Sequence, residues 1–402
     1  MEAINKSNRH KTAELIWLIS IVLYTFTIFT KDSLIATAFL IPDRIIHGFV
    51  LMGCFLLLVT EILEFRKEKE YLIKSLVLLI FLVLLFLLSE RLIGVGDAMA
   101  FGYVFSARNF KWDLTGLAAG ISIILMLLIL FILSTKGIIP DIVYSRNLPD
   151  MIRFRHSMGF AFCLQYSVCF LNAIILVMSA RQNKLSYVTL FIIASASIAV
   201  FSLADARLGY GAAVAAVMGA LVNKLFPGFF DKIRGFFYFL ALTPVLYFIF
   251  SIVMAKRFDP SVPWMSRLNT MLESRISLAQ AGLSNYGVGL FGKKVAWYGA
   301  GPDQGTFMAQ SSGQYNWVDN LYIKDMIDFG IIYVIILLIL ITITMIQCVR
   351  NKQYLNVFFI ALIYGMGLID DNIRLFCYNS MILLIGISFM KQRERLSDFD
   401  NV

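Results

Sequence analysis

Apolar residues run in long blocks along most of this chain, and short polar segments separate the blocks. Stretches such as 121–133 and 331–345 carry no charged residue, and a bilayer span needs about 20 predominantly apolar residues. The pattern predicts helical spans over 13–30, 45–63, 73–88, 92–105, 114–133, 158–178, 185–203, 208–222, 236–254, 327–346, 355–368 and 375–390. That reading gives an all-α polytopic membrane protein of about twelve transmembrane helices. The fourth span is short and glycine-bearing, and it sets the sidedness of the loops beyond it.

One long hydrophilic segment, 255–318, breaks the pattern between the ninth and tenth spans. The rest of 1–402 reads as a single integral membrane domain. Within the segment, Leu268, Leu272, Ile276, Ala279 and Leu283 recur every three or four residues, the period of an amphipathic helix. Thr270 and Glu273 have the spacing of a capping box. Gly287, Gly289 and Gly292 end the helix. Arg257, Arg267, Arg275, Lys293 and Lys294 alternate with Trp264, Tyr286, Trp297, Tyr298 and Trp317. That surface suits a phosphate-bearing or sugar-bearing ligand better than a small ion.

Composition excludes a soluble globule: 59% of the 402 residues are hydrophobic and only 15% are charged, with a mean hydropathy of +0.78. The net charge of +9 does not point to nucleic acid. Basic residues concentrate in short loops such as Arg66–Lys69 and Arg350–Lys352, as the positive-inside rule expects of cytoplasmic loops. With twelve spans both termini are cytoplasmic and 255–318 lies outside; long loops translocate largely regardless of their own charge. Residues 13–30 lack a small-residue cleavage site and read as a first span, not a removed signal peptide. The five cysteines fall in or beside spans and read as lipid-facing or packed thiols, not as disulfides or a metal cage. The three histidines are scattered, so no zinc site is expected, and no Walker motif implies ATP.

Candidate chemistry lies near the expected outer face. Arg207 sits in the tight turn Ala204–Tyr210 between two spans. An arginine at membrane depth costs roughly 2.5–3.5 kcal/mol on insertion scales, so it either serves a ligand or snorkels to water beside Asp205. Arg275, on the amphipathic helix, could grip a diphosphate bidentately or form part of a solvated face. Arg153, Arg155 and His156 make a third basic cluster, as phosphate contacts or as interfacial anchors. Asp319, Asn320 and Tyr322 precede the tenth span, with Asp328-Phe329-Gly330 just after. Asp319 could deprotonate an acceptor hydroxyl, cap the helix that begins there, or do both. Asp370, Asp371 and Arg374 read most simply as a salt-bridged turn. Gly287–Gly292 spells G-x-G-x-x-G but follows a helix, not a strand, and so is not a dinucleotide motif. Asp398-Phe399-Asp400 spells D-x-D on a charged tail with nothing around it.

Taken together, the arginine turn at Arg207–Gly209, the loop motifs within Arg275–Gly292, and Asp319–Tyr322 with Asp328–Ile332 resemble Wzy-type O-antigen and capsular polysaccharide polymerases. O-antigen ligases are similar in outline. The resemblance implies a GT-C-like helical fold in the bacterial cytoplasmic membrane. It implies an enzyme that transfers a glycan from undecaprenyl diphosphate onto a new lipid-linked repeat unit at the outer face. It further implies a metal-independent glycosyltransferase without cofactor, with flippase and chain-length-regulator proteins as partners. On this reading Asp319, Arg207 and Arg275 are catalytic, while Arg153, Arg155, His156, Asn320, Tyr322 and Arg374 contact diphosphate or glycan. Some polymerases repeat an arginine–glycine interval in two outer loops; Arg207–Gly219 and Arg275–Gly287 are each one residue longer. Ligases commonly present histidine where this chain has Asp319, which favours the polymerase. A ligase, or a lipid-linked oligosaccharide flippase, is the alternative.

Overall fold

The structure is a computed structural model that describes residues 2–148, 151–182, 184–299 and 315–389. These residues are predominantly helical, with one two-stranded hairpin. Eight described helices are long and apolar enough to cross a membrane: Ser7–Asp32, Asp43–Glu64, Lys69–Ala98, Trp112–Thr135, Cys163–Ala180, Tyr187–Ala204, Arg207–Leu225 and Ile331–Arg350. The bent pair Arg234–Leu240 and Thr243–Arg257 makes a ninth if it is one broken span. Large apolar side chains stand outward on these helices, Leu51, Phe55, Val188 and Phe191 being more than half exposed. Lipid covers such a surface; water does not. The chain is a polytopic helical membrane protein.

Three expected spans are shorter than their apolar pattern. After 88 the helix Lys69–Ala98 does not stop but runs through Ser89, Glu90 and Arg91, then breaks at Gly94, whose φ is +82°. The next helix, Ala100–Ala107, has eight residues, six of them buried. Tyr354–Met366 has 13 residues, and 375–389 holds the 3₁₀ turn Ser380–Ile382 followed by Leu383–Phe389. All three are largely buried within protein. Hydropathy measures what a segment avoids, and an interior segment avoids water as a lipid-facing one does.

The contacts divide the chain into two compact units. The first comprises Met1–Phe86, Val95–Pro227 and Ser380–Val402. Its core stacks Trp17 on Phe110 and Tyr24 on Tyr103, and the Trp17 indole donates to Thr115 at 3.0 Å. Gly386 lets two backbones touch: a Cβ there would stand 1.8 Å from the Val104 carbonyl oxygen. Small residues allow this approach in membrane bundles, where dispersion replaces the hydrophobic drive. Glu61 receives both guanidinium ends of the buried Arg108, at 2.9 and 2.6 Å, which offsets the cost of taking that charge out of water.

A hairpin in the same unit pairs Val143–Leu148 with Met151–His156, where the expected all-helical pattern has no element. It lies between the fifth and sixth apolar blocks, and the next helix accordingly starts at Cys163, not at 158. Asp141 ties its base, accepting from His156 at 2.5 Å and from the Met158 N–H at 2.9 Å. Four of the five cysteines are buried, as packed thiols, and Cys54 is half-buried.

The second unit comprises Leu87–Gly94 and Gly228–Asn379. Here the expected amphipathic helix is two helices, Pro263–Met271 and Arg275–Tyr286, separated by Glu273 and Ser274 at φ +51° and +66°. Thr270 lies inside the first helix and bonds back to the Ser266 carbonyl, so it caps nothing. The apolar stripe survives the break because burial, not helix continuity, sets it. Ile276 packs with Met254 and Phe258, and Leu268 and Leu272 join them. Gly287 ends the second helix as expected.

The glycines after that helix have a structural purpose. Residues 289–292 cross the chain at 327–332, with Ile331 N–H donating to the Gly289 carbonyl and Lys293 N–H to that of Ile327. A Cβ at Gly292 would lie 2.1 Å from the Asp328 carbonyl oxygen, and one at Gly330 would lie 2.3 Å from that of Leu290. Only glycine permits the crossing, and Gly330 also holds φ +94°. Gly137 supplies a control, with φ +69° and open space around it. Gly137→Ala should therefore cost about 1 kcal/mol from backbone strain alone, and Gly330→Ala about 3 kcal/mol or more. Thermal unfolding of both variants in detergent checks the difference; equal losses would mean that the crossing is not tight.

Candidate functional site

The helix Leu321–Asp328 has only eight residues, and all are buried. Three of them, Lys324, Asp325 and Asp328, are ionisable, and buried charges persist only when paired. Arg374 supplies the pairing from the 3₁₀ turn Asp371–Arg374. Its guanidinium lies 3.0 Å from Asp328, 3.6 Å from Asp325 and 3.5 Å from Asp371. The expected salt-bridged turn is present and is the hub of a larger network. Lys324 stands 3.7 Å from Asp371. Two indoles close the circuit: Trp297 donates to Asp328 at 2.8 Å and Trp317 donates to Asp371 at 3.1 Å. The Lys324 ammonium sits 4.3 Å from the Trp297 ring centre and 3.4 Å from that of Trp317.

Asp319 and Arg275 adjoin this network. Asn320, not Asp319, caps the short helix, its carbonyl oxygen accepting from the Ile323 N–H at 3.0 Å. The Asn320 amide group donates to Ser251 and to the Leu368 carbonyl, both at 3.0 Å. Asp319 is thereby left without a capping duty. Its side chain is 27% exposed and lies 3.7 Å from the Arg275 guanidinium. Arg275 is itself anchored, with Nε donating to the Ile369 carbonyl at 2.7 Å and one terminal nitrogen facing Glu273 at 3.5 Å. Arg275 lines a small, open cleft whose other walls are mainly apolar, including Phe250, Met254, Leu272, Ile276 and Leu368. A fixed cation at the edge of an apolar cleft can pair with an anionic group, and the partly exposed carboxylate beside it can accept a proton.

Six carboxyls (Glu273, Asp319, Asp325, Asp328, Asp370, Asp371) share this region with three cations (Arg275, Lys324, Arg374). The imbalance and the burial together shift the titrations. Burial, then Asp371, raises Asp319 to about 6 against the pull of Arg275. Burial raises Asp325 to about 8, with Arg374 opposing. Asp370 rises to about 7 through burial and Asp371. Burial lowers Lys324 to about 8, with Asp371 opposing. At neutral pH Asp325 is thus mainly protonated and Asp370 about half so, which lessens the excess of negative charge.

The remaining expected residues fall elsewhere. Tyr322 is buried, and its hydroxyl donates to the Tyr364 carbonyl at 2.7 Å, so it packs the short helix. Arg155, His156 and Arg207 belong to the first unit. Arg155 donates to the Ala204 carbonyl at 3.4 Å, at the turn that leads into Arg207. Arg207 is exposed at the first position of its helix. His156 is engaged by Asp141. Arg153 is placed by its backbone, opposite Arg146 in the hairpin; its side chain, like Asp398–Asp400 and residues 300–314, lies outside the described residues. Lys324 and Asp325 do not stand out in the sequence, where they read as the polar lead-in to a span. Three charges within eight residues at the edge of an apolar block are the available signal.

Comparison with protein-family models, with curated proteins and with solved structures finds no match to the chain.

The raised carboxyls set a stability trend. Between the unfolded Asp value near 4 and about 8, the folded protein holds the Asp325 proton that the unfolded chain has released, so stability falls as pH rises through that window. Asp325→Asn keeps the neutral form at every pH. Its thermal midpoint should change less between about pH 5 and pH 8 than that of the wild type; an identical slope would show that Asp325 does not titrate there.

Proposed function

We propose that this chain is a polysaccharide polymerase. It would take a glycan from undecaprenyl diphosphate and join it to a new lipid-linked repeat unit at the outer face of the bacterial cytoplasmic membrane. The observation that carries the reading is the pairing of Asp319 with Arg275 at the edge of the apolar cleft. The family resemblance of the loop motifs supports it, with a GT-C-like arrangement of about twelve membrane segments as the expected frame.

The chemistry follows from that pairing. The Asp319 carboxylate takes the proton from the acceptor hydroxyl as its oxygen bonds to the donor's anomeric carbon. The bond from that carbon to the diphosphate oxygen breaks, and the diphosphate leaves with the electron pair. Arg275 faces the charge that develops on the leaving group, where a preorganised cation is most effective. Its carbonyl anchors keep it in place without a reorganisation cost at the moment of reaction. A carboxyl raised to about 6 is a better base than an ordinary aspartate while remaining mostly ionised at neutral pH.

Asp319→Asn should lower polymerisation about 100-fold or more, with unchanged protein level, and surface glycan should collapse from long chains to single repeat units. Arg275→Ala and Arg207→Ala should give the same collapse. A glycan ladder on a gel, with immunoblotting for the protein, reads all three. Long chains held on the carrier would instead identify a ligase, absence of external glycan would identify a flippase, and normal ladders would remove these residues from the reaction.

A further inference from the structure

We propose that Lys324 is a positioning residue, the pin on which both arms of the long loop seat, and that it fixes the backbone that carries Asp319. Only the consequence for catalysis rests on the polymerase reading; the pin itself does not.

Lys324 has no exposed side-chain surface, and its Nζ makes no hydrogen bond among the described residues. Two aromatic rings face it instead, with a carboxylate at 3.7 Å. A desolvated ammonium between indole faces is held by the ring quadrupoles, and indole is the strongest such partner among side chains. Each ring is also fixed at its edge, because Trp297 donates to Asp328 and Trp317 to Asp371. Both the tilt of each indole and its distance from the short helix are thus set.

The two rings come from different arms of the loop. Trp297 belongs to the arm beyond the glycine crossing, and Trp317 to the arm that returns to the membrane. The arms are paired: Asn316 N–H donates to the Tyr298 carbonyl at 3.2 Å, and Tyr298 N–H donates to the Asn316 side chain at 2.6 Å. Gly299 lies close under the Trp317 ring, where a Cβ would come within 3.1 Å of it. Trp317 is two residues from Asp319, with Val318 fully buried between them. Seating Trp317 therefore sets where Asp319 emerges. A neutral side chain of similar length would keep apolar contact with the rings but lose the attraction that holds both at once. The charged groups facing Lys324 are Asp371, Arg374, Asp328 and Asp319.

The test uses the full chain in detergent and needs no enzymatic assay. Lys293 and Lys294 are exposed on the first arm while Lys293 N–H is bonded to the Ile327 carbonyl, so tryptic cleavage there reports release of the arm. Carbodiimide labelling of Asp319, read by mass spectrometry, reports its placement. Lys324→Met should be cleaved at Lys293–Lys294 about tenfold faster and should change the Asp319 labelling rate, whereas Lys324→Arg, which keeps the cation, should stay near wild type. Should Lys324→Met fail to fold, Trp317→Leu should release the returning arm and change Asp319 labelling while the thermal midpoint stays close to wild type. Protection in the Met variant equal to wild type, or equal loss in the Met and Arg variants, would overturn the proposal. Released arms with an unchanged glycan ladder would leave the pin intact and count against Asp319 as the polymerase base.

Discussion

Charge buried on an eight-residue helix is the constraint that organises the second unit. Lys324, Asp325 and Asp328 cannot remain away from water alone, so Arg374, Asp371 and two tryptophans must be brought to them. Bringing them fixes the 3₁₀ turn on one side and both loop arms on the other. The placement of Asp319 and Arg275 is then a consequence of geometry already decided. Apolar packing could not have done this, because hydrophobic contact is non-directional, whereas an indole N–H aimed at a carboxylate has one orientation.

The network also explains why the glycines lie where they do. For Asp328 to meet Trp297, the chain at 289–292 must pass against 327–332 at backbone distance. Any Cβ at Gly292 or Gly330 would separate the two segments of that crossing and pull the indole from its carboxylate. The run that spells a dinucleotide motif is therefore a packing device. Glycine permits close approach in either use, and only the neighbour decides which one applies.

Different parts of the site are held to different degrees. Asn320 and Tyr322 have partners for their polar groups within the protein, and the buried Arg374 faces three carboxylates, so they build the frame and are poorly placed to bind a ligand. Asp319 keeps part of its carboxyl exposed, and Arg275 lines open space. The division follows burial: a group whose bonds are already made inside has little left to offer a substrate. In the first unit Arg207 is exposed, while Arg155 spends its Nε on a carbonyl.

The order of polar and apolar residues determined that this is a helical membrane protein with one long loop, and it located the loop's apolar stripe and the glycine stop at Gly287. Those features are local, since lipid selects for runs of apolar residues and a helix end selects for glycine. The same order predicted longer helices near 92–105, 355–368 and 375–389 than the structure has, because protein interior and lipid impose one and the same demand. It gave no sign of the hairpin, nor of the break at Glu273 and Ser274, because left-handed backbone at those residues is set by the packing around them. Asp319, Arg275 and Arg374 stand out as charges beside apolar blocks, but their roles could not be told apart by spacing. Tertiary structure alone decided that Arg374 is enclosed, that Asn320 takes the cap and frees Asp319, and that Lys324 lies between Trp297 and Trp317. Each of these depends on residues distant in the chain meeting in space, and a one-dimensional pattern carries no record of such meetings.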